Sequence, residues 1–388
     1  MALHPAYGQI SALLTAVFIL IAGNGLFSTL VPLRGSLEAF PDIVLGLLGS
    51  AYFAGMFFGC IAAPRIVGRA GHIRTFAALG AVATVTAIAL PMAIEPWFWM
   101  LGRAVTGFCF AGLYATIESW LHDKAENVVR GQVMALYNIV HNTGNAAGQQ
   151  AIRLADPMTS TLFSVVAAAL SLAVLPLAFT RTDPPNPPPV PRLRLIWLYQ
   201  ISPVGVLGVL AAGAANGTMW SLGPIFAKES GLTAGGVASF MTAIILGGAI
   251  GQWPAGRLAD RRDRRYVVIG AMAIAIAAEL ALVAFADAGL LVLVVLGAVI
   301  GAAALVLYPL CSSHAGDLAG RENAVEVSSA LLLAYTIGAI VGPTAAATMM
   351  ARYAPEAMFL HNAAIHLVLT LFIMWRLWYR PPVPQSQV

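Results

Sequence analysis

One arginine stands inside a long apolar run, and its position makes it the first candidate for chemistry. Arg103 lies about six residues into the run 97–120, roughly 9 Å from the end of the run if the segment is helical. A buried cation in such a helix costs several kcal/mol and usually faces a cavity. Tyr114 falls on the same helical face. We predict that Arg103 binds an anionic group of a substrate or tunes the proton affinity of a nearby acid. The alternative is that it hydrogen-bonds helix carbonyls and stiffens the structure.

Two glutamates also lie within apolar runs. Glu118 shares the helix of Arg103 but lies roughly 22 Å from it along the axis, so the two do not pair directly. We predict that Glu118 carries protons, and the alternative is a gating role beside Asp123. Glu279 lies in the middle of another apolar run. An acid in such a place is a candidate functional residue, but we predict that Glu279 has a structural partner instead.

The run 131–153 carries a stripe of amide side chains with His141 at its border. At 100° per residue the four amides fall within about 60° of one another on a helix. Amides in an apolar helix must find partners, so they face protein or a wet cavity. We predict a wall that binds a polar substrate, with contacts between helices as the alternative. His141 is predicted to bind substrate and relay protons, unless it is a hydrogen-bonded core residue. The amides are Asn138, Asn142, Asn145 and Gln149.

A second set of polar and aromatic residues lies in other apolar runs. Asn24 and Asn216 occupy equivalent places in two runs, and each is followed by glycine. Paired polar positions of this kind are typical of a lined cavity or of local helix unwinding. Further candidates for an aromatic second wall are Trp220, Gln252, Tyr308 and Tyr335.

Helices that cross a membrane must position these residues. Of the 388 residues, 59% are hydrophobic and only 10% are charged, against about 25% charged in a soluble domain. Lipid offers the backbone no hydrogen-bond partners, so the runs must be helices, and they are too long and continuously apolar for barrel strands. We therefore predict an all-α integral membrane protein with twelve transmembrane helices. The spans are predicted at 10–31, 43–64, 74–94, 97–120, 131–153, 160–180, 199–226, 236–256, 266–287, 290–311, 325–349 and 358–379.

A proline-rich segment divides the chain nearly in half. We predict a six-helix bundle at 1–180, a linker at 181–198 and a second six-helix bundle at 199–388. Basic residues set the orientation: 16 of the 21 lysines and arginines fall on one side of the predicted membrane, 4 on the other, and Arg103 within a span. Positive charge favours the cytoplasmic side, so both termini are predicted to be cytoplasmic. The first span is too long for a signal peptide and is predicted to be retained.

The two halves are copies of one unit. A shift of 192 residues places Asn24-Gly25 on Asn216-Gly217, and a shift of 194 places Tyr114 on Tyr308. Six spans per copy keep the same membrane orientation, so the copies are related by a pseudo-two-fold axis along the membrane normal. That arrangement is typical of transporters with a binding site between two rigid bundles.

The loop Gly256-Arg257-Leu258-Ala259-Asp260-Arg261-Arg262-Asp263-Arg264-Arg265 closely resembles the signature of the major facilitator superfamily, with Asp263 in place of a glycine. The start of the fourth span, Arg103-Ala104-Val105-Thr106-Gly107, resembles a second motif of that family. The segments Glu118-Ser119-Trp120-Leu121 and Gly71-His72-Ile73-Arg74 also resemble sequences of its YcaD-like bacterial branch.

This resemblance implies alternating access, with spans 1, 4, 7 and 10 lining the cavity. It implies a cytoplasmic gate formed by Asp260 and Arg264, with Asp317 as acidic partner. The first-half copy of the loop has Gly68 where the family has aspartate, which puts a matching gate there in doubt. The full set of predicted gating residues is Asp260, Arg261, Arg264, Asp317, Asp123 and Arg69.

The chain lacks a nucleotide-binding Gly-x-x-x-x-Gly-Lys-Ser/Thr loop, so a gradient must supply the energy. We predict a secondary active transporter of a small organic solute in the bacterial inner membrane, with proton-coupled export through Glu118, His141 and Arg103. The alternatives are proton-coupled uptake of a polar or anionic solute and a non-transporting sensor or scaffold. No enzyme activity, cofactor, metal or nucleic acid is predicted. The expected partners are the solute, protons and the lipid bilayer, and the expected state is a monomer.

Overall fold

The computed structural model describes residues 5–124, 130–179, 194–320 and 323–379, and all of their regular elements are helices. The first half of the chain begins with two helices of about 30 residues. A 3₁₀ turn follows α3 at Leu90–Met92, and another follows α5 at Ala151–Leu154. The helices are α1 Pro5–Leu37, α2 Asp42–Ala70, α3 His72–Ala89, α4 Pro96–Lys124, α5 Arg130–Gln150, α6 Thr161–Leu172 and α7 Leu175–Ala178.

The second half begins with a short helix before its long ones. Its tenth predicted span is interrupted at Leu305, just before Pro309. Proline has no N–H to donate and clashes with the preceding turn, so a break there is expected. The helices are α8 Leu195–Ile201, α9 Pro203–Glu229, α10 Ala234–Ala259, α11 Arg264–Ala284, α12 Leu290–Ala304, α13 Leu307–Ala319, α14 Ala324–Arg352 and α15 Ala357–Tyr379.

Eleven helical segments in the described residues are long and apolar enough to cross a membrane. The predicted fifth span forms helix α5, but α5 is not among the eleven, because amide and histidine side chains interrupt its apolar residues. The all-helical membrane fold is thus confirmed, and the count of twelve crossings stays a prediction.

The chain divides into two compact units. The first consists of Met1–Val190 and Leu232–Thr242, and the second of Pro191–Gly231 and Ala243–Val388. Helix α10 is therefore divided, with its first turns packed in the first unit. The predicted bundle boundaries at 180 and 199 remain predictions, and most of the predicted linker lies outside the described residues.

Each unit contains the same pair of helices in backbone contact. A Cβ atom built on Gly55 of α2 would lie 1.8 Å from the carbonyl oxygen of Ala104 in α4. In the second unit a Cβ on Gly247 of α10 would lie 2.0 Å from the carbonyl oxygen of Ala298 in α12. These residues correspond under the shifts of 192 and 194. The same correspondence links Gly107–Tyr52 with Gly301–Ile244, Gly59–Phe108 with Gly251–Ala302, and Gly148–Ala22 with Gly342–Ala214.

These close approaches require glycine, because any side chain would push the backbones apart. Small residues are how membrane helices come close enough for van der Waals packing. The repeat seen in the sequence is therefore a repeat of helix contacts, and it fixes α2 against α4 where the first candidate residues lie.

Candidate solute and proton site

Arg103 is buried against α2, in the first unit. Its side chain is 6% exposed, and its guanidinium carbon lies 4.3 Å from the centre of the Tyr52 ring. One helical turn further on, Gly107 lets α4 touch the backbone of Tyr52 directly. No described residue offers a hydrogen-bond acceptor to the Nη1 atom of Arg103. The structure thus presents a cation stacked on an aromatic ring with one donor group unused.

Asn24 and Tyr114 continue the polar surface from Arg103. The Nδ2 atom of Asn24 donates a hydrogen bond of 2.9 Å to the Tyr114 hydroxyl, and Asn24 also interacts with the Tyr52 hydroxyl. Helices α1, α2 and α4 thereby place an amide, two phenols and a guanidinium next to one another. Amides and phenols both donate and accept hydrogen bonds, so this part of the site suits a polar ligand.

The same surface continues to Glu118 through α5. The His141 ring lies 6.2 Å from Tyr114 and 6.1 Å from Tyr137, measured between ring centres. The Tyr137 hydroxyl donates to Oε1 of Glu118 over 3.5 Å, which is a long hydrogen bond. The Glu118 side chain itself is exposed. We call this set the polar track: Asn24, Tyr52, Arg103, Tyr114, Glu118, Tyr137 and His141.

The amide stripe on α5 is used in two different ways. Gln149 is fully buried and accepts a hydrogen bond from Thr29 of α1, so it joins two helices as the alternative interpretation held. Asn138 is exposed, and Asn142 and Asn145 are half-buried. These three remain available to a ligand, and their predicted role in substrate binding stays a prediction.

The predicted residues of the second half all lie in the second unit. Tyr308 and Tyr335 meet edge to face with ring centres 5.5 Å apart. They correspond by the shift of 194 to Tyr114 and His141, so both units contain an aromatic pair at this place. Asn216 is buried, Trp220 is half-buried and Gln252 is exposed; their predicted contacts with a solute stay predictions.

One predicted gating contact is present as an ion pair. The Nε atom of Arg264 donates to Oδ2 of Asp317 over 2.7 Å, and both residues belong to the second unit. Asp260, Arg261 and Arg69 are exposed. The side chain of Asp123 lies outside the described residues. The pair shows that Arg264 and Asp317 reach each other, while their role in gating stays a prediction.

Asp263, which stands where the family motif has glycine, caps helix α11. Its carboxylate accepts hydrogen bonds from the backbone N–H and the guanidinium of Arg265. Burial alone would raise the pKa of Asp263, but these hydrogen bonds and the charge of Arg265 hold it below its ordinary value. The departure from the motif therefore exchanges a flexible turn for a charged helix cap.

The two segments that resemble the YcaD-like branch, 71–74 and 118–121, contact each other. Nε2 of His72 lies 2.7 Å from the hydroxyl of Ser119, and the His72 ring meets Trp120 edge on at 6.0 Å. His72 begins α3 and is buried. These two segments thus join α3 to α4 just beyond Glu118.

Sequence reasoning missed Tyr52 and Tyr137. Tyr52 lies three and seven residues before Gly55 and Gly59, so it shares their face of α2. That spacing could have placed it against α4 beside Arg103. Tyr137 precedes His141 by one turn and could have been added to the α5 stripe in the same way. No cluster of three or more histidine, cysteine, aspartate or glutamate side chains suited to a metal occurs among the described residues.

A family model described as the Major Facilitator Superfamily matches residues 13–241 and 205–388. An uncharacterized MFS-type transporter of Enterobacter sp. (strain 638) is 29% identical over 93% of this chain and 94% of its own length. An uncharacterized MFS-type transporter, YcaD, of Escherichia fergusonii is 26% identical, with 93% and 94% covered.

Solved structures share the fold. The nucleoside transporter NupG is 15% identical with a TM-score of 0.78, covering 96% of this chain and 100% of its own. A D-xylose-proton symporter is 13% identical with a TM-score of 0.71, covering 95% and 96%.

Proposed function

The chain belongs to the major facilitator superfamily and is a multi-pass membrane transporter, and we propose that it is a secondary active transporter coupling the movement of a small organic solute with an acidic group to the movement of protons. It works by alternating access in a bacterial inner membrane, as a monomer with both termini in the cytoplasm. The predicted residues of both units contribute to solute binding and gating.

The unused donor of Arg103 carries the proposal of an acidic solute. A buried guanidinium without a carboxylate partner is expensive in a membrane protein. A carboxylate or phosphate on a solute would satisfy Nη1, and it would restore electroneutrality at the same place. Charge-assisted hydrogen bonds are the strong ones, and the neighbouring Asn24 and Tyr114 can bind the uncharged part of such a solute.

The rest of the polar track supports proton coupling. Glu118 is an exposed acid on the same helix as Arg103, and the rings of Tyr137, His141 and Tyr114 separate the two. Phenol and imidazole groups both donate and accept protons. A proton arriving at Glu118 can therefore influence the solute site without direct contact between Glu118 and Arg103.

Export, predicted from the sequence, and uptake differ only in the direction of proton flow relative to solute. Uptake is favoured by one finding, because a structurally similar protein is a D-xylose-proton symporter. The direction of proton movement that accompanies the solute in proteoliposomes distinguishes uptake from export.

The experiment uses proteoliposomes with an imposed pH gradient and a trapped pH dye, challenged with organic acids, nucleosides, sugars and lipophilic cations. Wild type should dissipate the gradient only with acidic solutes. Arg103→Gln should abolish this response, and the control Arg65→Gln, on the exposed part of α2, should retain it. A full response from a folded Arg103→Gln variant would refute the role of Arg103. Solute binding without any solute movement in wild type would establish a sensor instead of a transporter.

A further inference from the structure

Helices α11 and α15 of the second unit bury an acid and a histidine together. Glu279 and His366 are both 0% exposed, and Nδ1 of His366 lies 3.0 Å from Oε2 of Glu279. The pair lies far along the chain from the polar track, and both residues belong to the second unit. The structural partner predicted for Glu279 is therefore present.

The pair nevertheless leaves two polar atoms unused. Oε1 of Glu279 and Nε2 of His366 have no hydrogen-bond partner among the described residues. Each unsatisfied buried polar atom costs about 1–3 kcal/mol, and apolar residues in place of a buried ion pair are often as stable or more so. A purely structural contact would be better served by apolar side chains, so these atoms point to a ligand.

A small cavity lies beside Glu279. Its volume is about 10 Å³, and its polar lining consists of Glu279, Asn216 and Asn362, the other lining residues being apolar. Asn362 donates to the backbone oxygen of Ala215 over 3.3 Å, which fixes its orientation. A cavity of this volume has room for one water molecule at most, which needs two or more hydrogen-bond partners. Glu279, Asn216 and Asn362 carry the polar groups that can supply them.

The charge of the pair depends on how many protons it holds. With one proton it is neutral overall, whether that proton sits on Nδ1 or on Oε2. With none it leaves a buried negative charge, and with two a buried positive charge. Either charge is costly away from water. Among the described residues, His361 is a further titratable group near the pair, five residues before His366 on α15, with Nδ1 3.2 Å from Oδ1 of Asn362.

We propose that Glu279 and His366 form a proton-binding site in the second unit, which holds one proton between Oε2 and Nδ1 and exchanges it through a water molecule in the adjoining cavity. The proton comes from bulk water and returns to it, so no other reactant is needed. This site is additional to the polar track, and it does not depend on the solute proposed above.

The test uses the purified protein in lipid nanodiscs. The buffer is changed reversibly from neutral to alkaline pH, and infrared difference spectra are recorded between the two states. Glutamate and histidine are isotopically labelled in separate samples. Exposed carboxylates are already ionised over this range, so they stay silent. Wild type should give a reversible signal from one glutamate–histidine pair. Glu279→Gln should lose it, and the control Asp287→Asn, an exposed acid just beyond α11, should keep it.

A second variant gives a test that does not depend on the folding of Glu279→Gln. His366→Gln leaves Glu279 without its imidazole, so the carboxyl should stay protonated where wild type releases its proton. An unchanged spectrum across the pH step in wild type would mean a permanently locked structural contact and would overturn the proposal. So would a glutamate signal that follows added sodium ions at constant pH, because that would identify a cation site.

Discussion

Gly107 offers a sharp test of how helix contact positions Arg103. Replacing it with alanine would bring a Cβ atom to 1.9 Å from the carbonyl oxygen of Tyr52, whereas ordinary contact begins at 3.4 Å. Helices α2 and α4 must therefore separate by about 1.5 Å at this point, the difference between the two distances. Overpacking costs about 1–3 kcal/mol, and a clash with backbone belongs at the upper end.

Alanine also has the higher helix propensity, by up to about 1 kcal/mol over glycine. The net destabilisation expected for Gly107→Ala is therefore about 2 kcal/mol or more. The same displacement moves the Tyr52 ring away from the Arg103 guanidinium, so solute-driven proton movement should fall even in the fraction that folds. Gly301→Ala should be equally destabilising, because its Cβ would meet the oxygen of Ile244 at 2.0 Å.

The assay is thermal unfolding of purified protein in detergent, followed by tryptophan fluorescence at one scan rate, because the midpoint depends on scan rate when unfolding is irreversible. The matched control is Gly270→Ala, a helical glycine whose added Cβ meets no atom within 4 Å. It should unfold at the same temperature as wild type or slightly higher. Equal midpoints for Gly107→Ala and Gly270→Ala would refute the backbone contact.

Three further predictions concern the loop after α10 and the polar track. Asp263→Ala should destabilise by about 1 kcal/mol through loss of the α11 cap. Because the folded-state pKa of Asp263 is lowered, the stabilisation by its carboxylate is present above the ordinary aspartate range and disappears as pH falls through the folded-state pKa. Chemical denaturation of wild type and Asp263→Ala at a series of pH values checks this expectation. A difference in stability between the two proteins that persists in acid would contradict it. Arg264→Ala should change the unfolding midpoint little, because Asp317 is 51% exposed and such pairs contribute at most about 1 kcal/mol. It should change labelling of cysteines placed at the helix ends near Asp317, and unchanged labelling would exclude a gating role. Tyr137→Phe removes the hydrogen bond to Glu118 and should slow solute-driven proton movement while solute exchange continues; equal loss of both would assign Tyr137 to solute binding.

The sequence predicts the helices and the repeat well because both depend on local or periodic signals. Apolar runs gave the spans, although helices such as α2 continue to Ala70, beyond the predicted end at 64, since a helix need not end where lipid ends. Paired residues such as Asn24-Gly25 and Asn216-Gly217 indicated the repeat, and the structure shows glycines related by it, such as Gly55 and Gly247, in equivalent backbone contacts. The family resemblance was confirmed by the match along the chain.

Partners distant in sequence were not predictable in the same way. The contact of Arg103 with Tyr52 depends on how α2 and α4 rotate against each other, and that of Glu279 with His366 joins residues 87 positions apart. A single sequence shows that a buried acid needs a partner but not which residue supplies it. The amide stripe on α5 was visible, yet only packing shows that Gln149 faces α1 while Asn138 is exposed.

The repeat preserves helix contacts but not chemistry. Under the shift of 194, Arg103, Glu118 and His141 correspond to Gly297, Ser312 and Tyr335, so the second unit lacks the ionisable groups of the polar track. It has Glu279 and His366 instead, buried on other helices. In the proposed mechanism the first unit binds the acidic group of the solute and carries protons along the polar track, and the second unit holds a further proton at Glu279 and His366. The anion site at Arg103 and this second proton site are therefore separate.

This separation predicts additive energetics. Arg103 and Glu279 share no hydrogen-bond partner among the described residues and belong to different units. Independent sites change stability additively within about 0.5 kcal/mol. The changes in unfolding free energy of Arg103→Gln and Glu279→Gln should therefore sum to that of the double variant, measured without solute at constant pH. A difference above about 1 kcal/mol between the double variant and the sum of the single variants would show that the two sites interact in the absence of solute. The proton site would then have to be treated as part of the solute site.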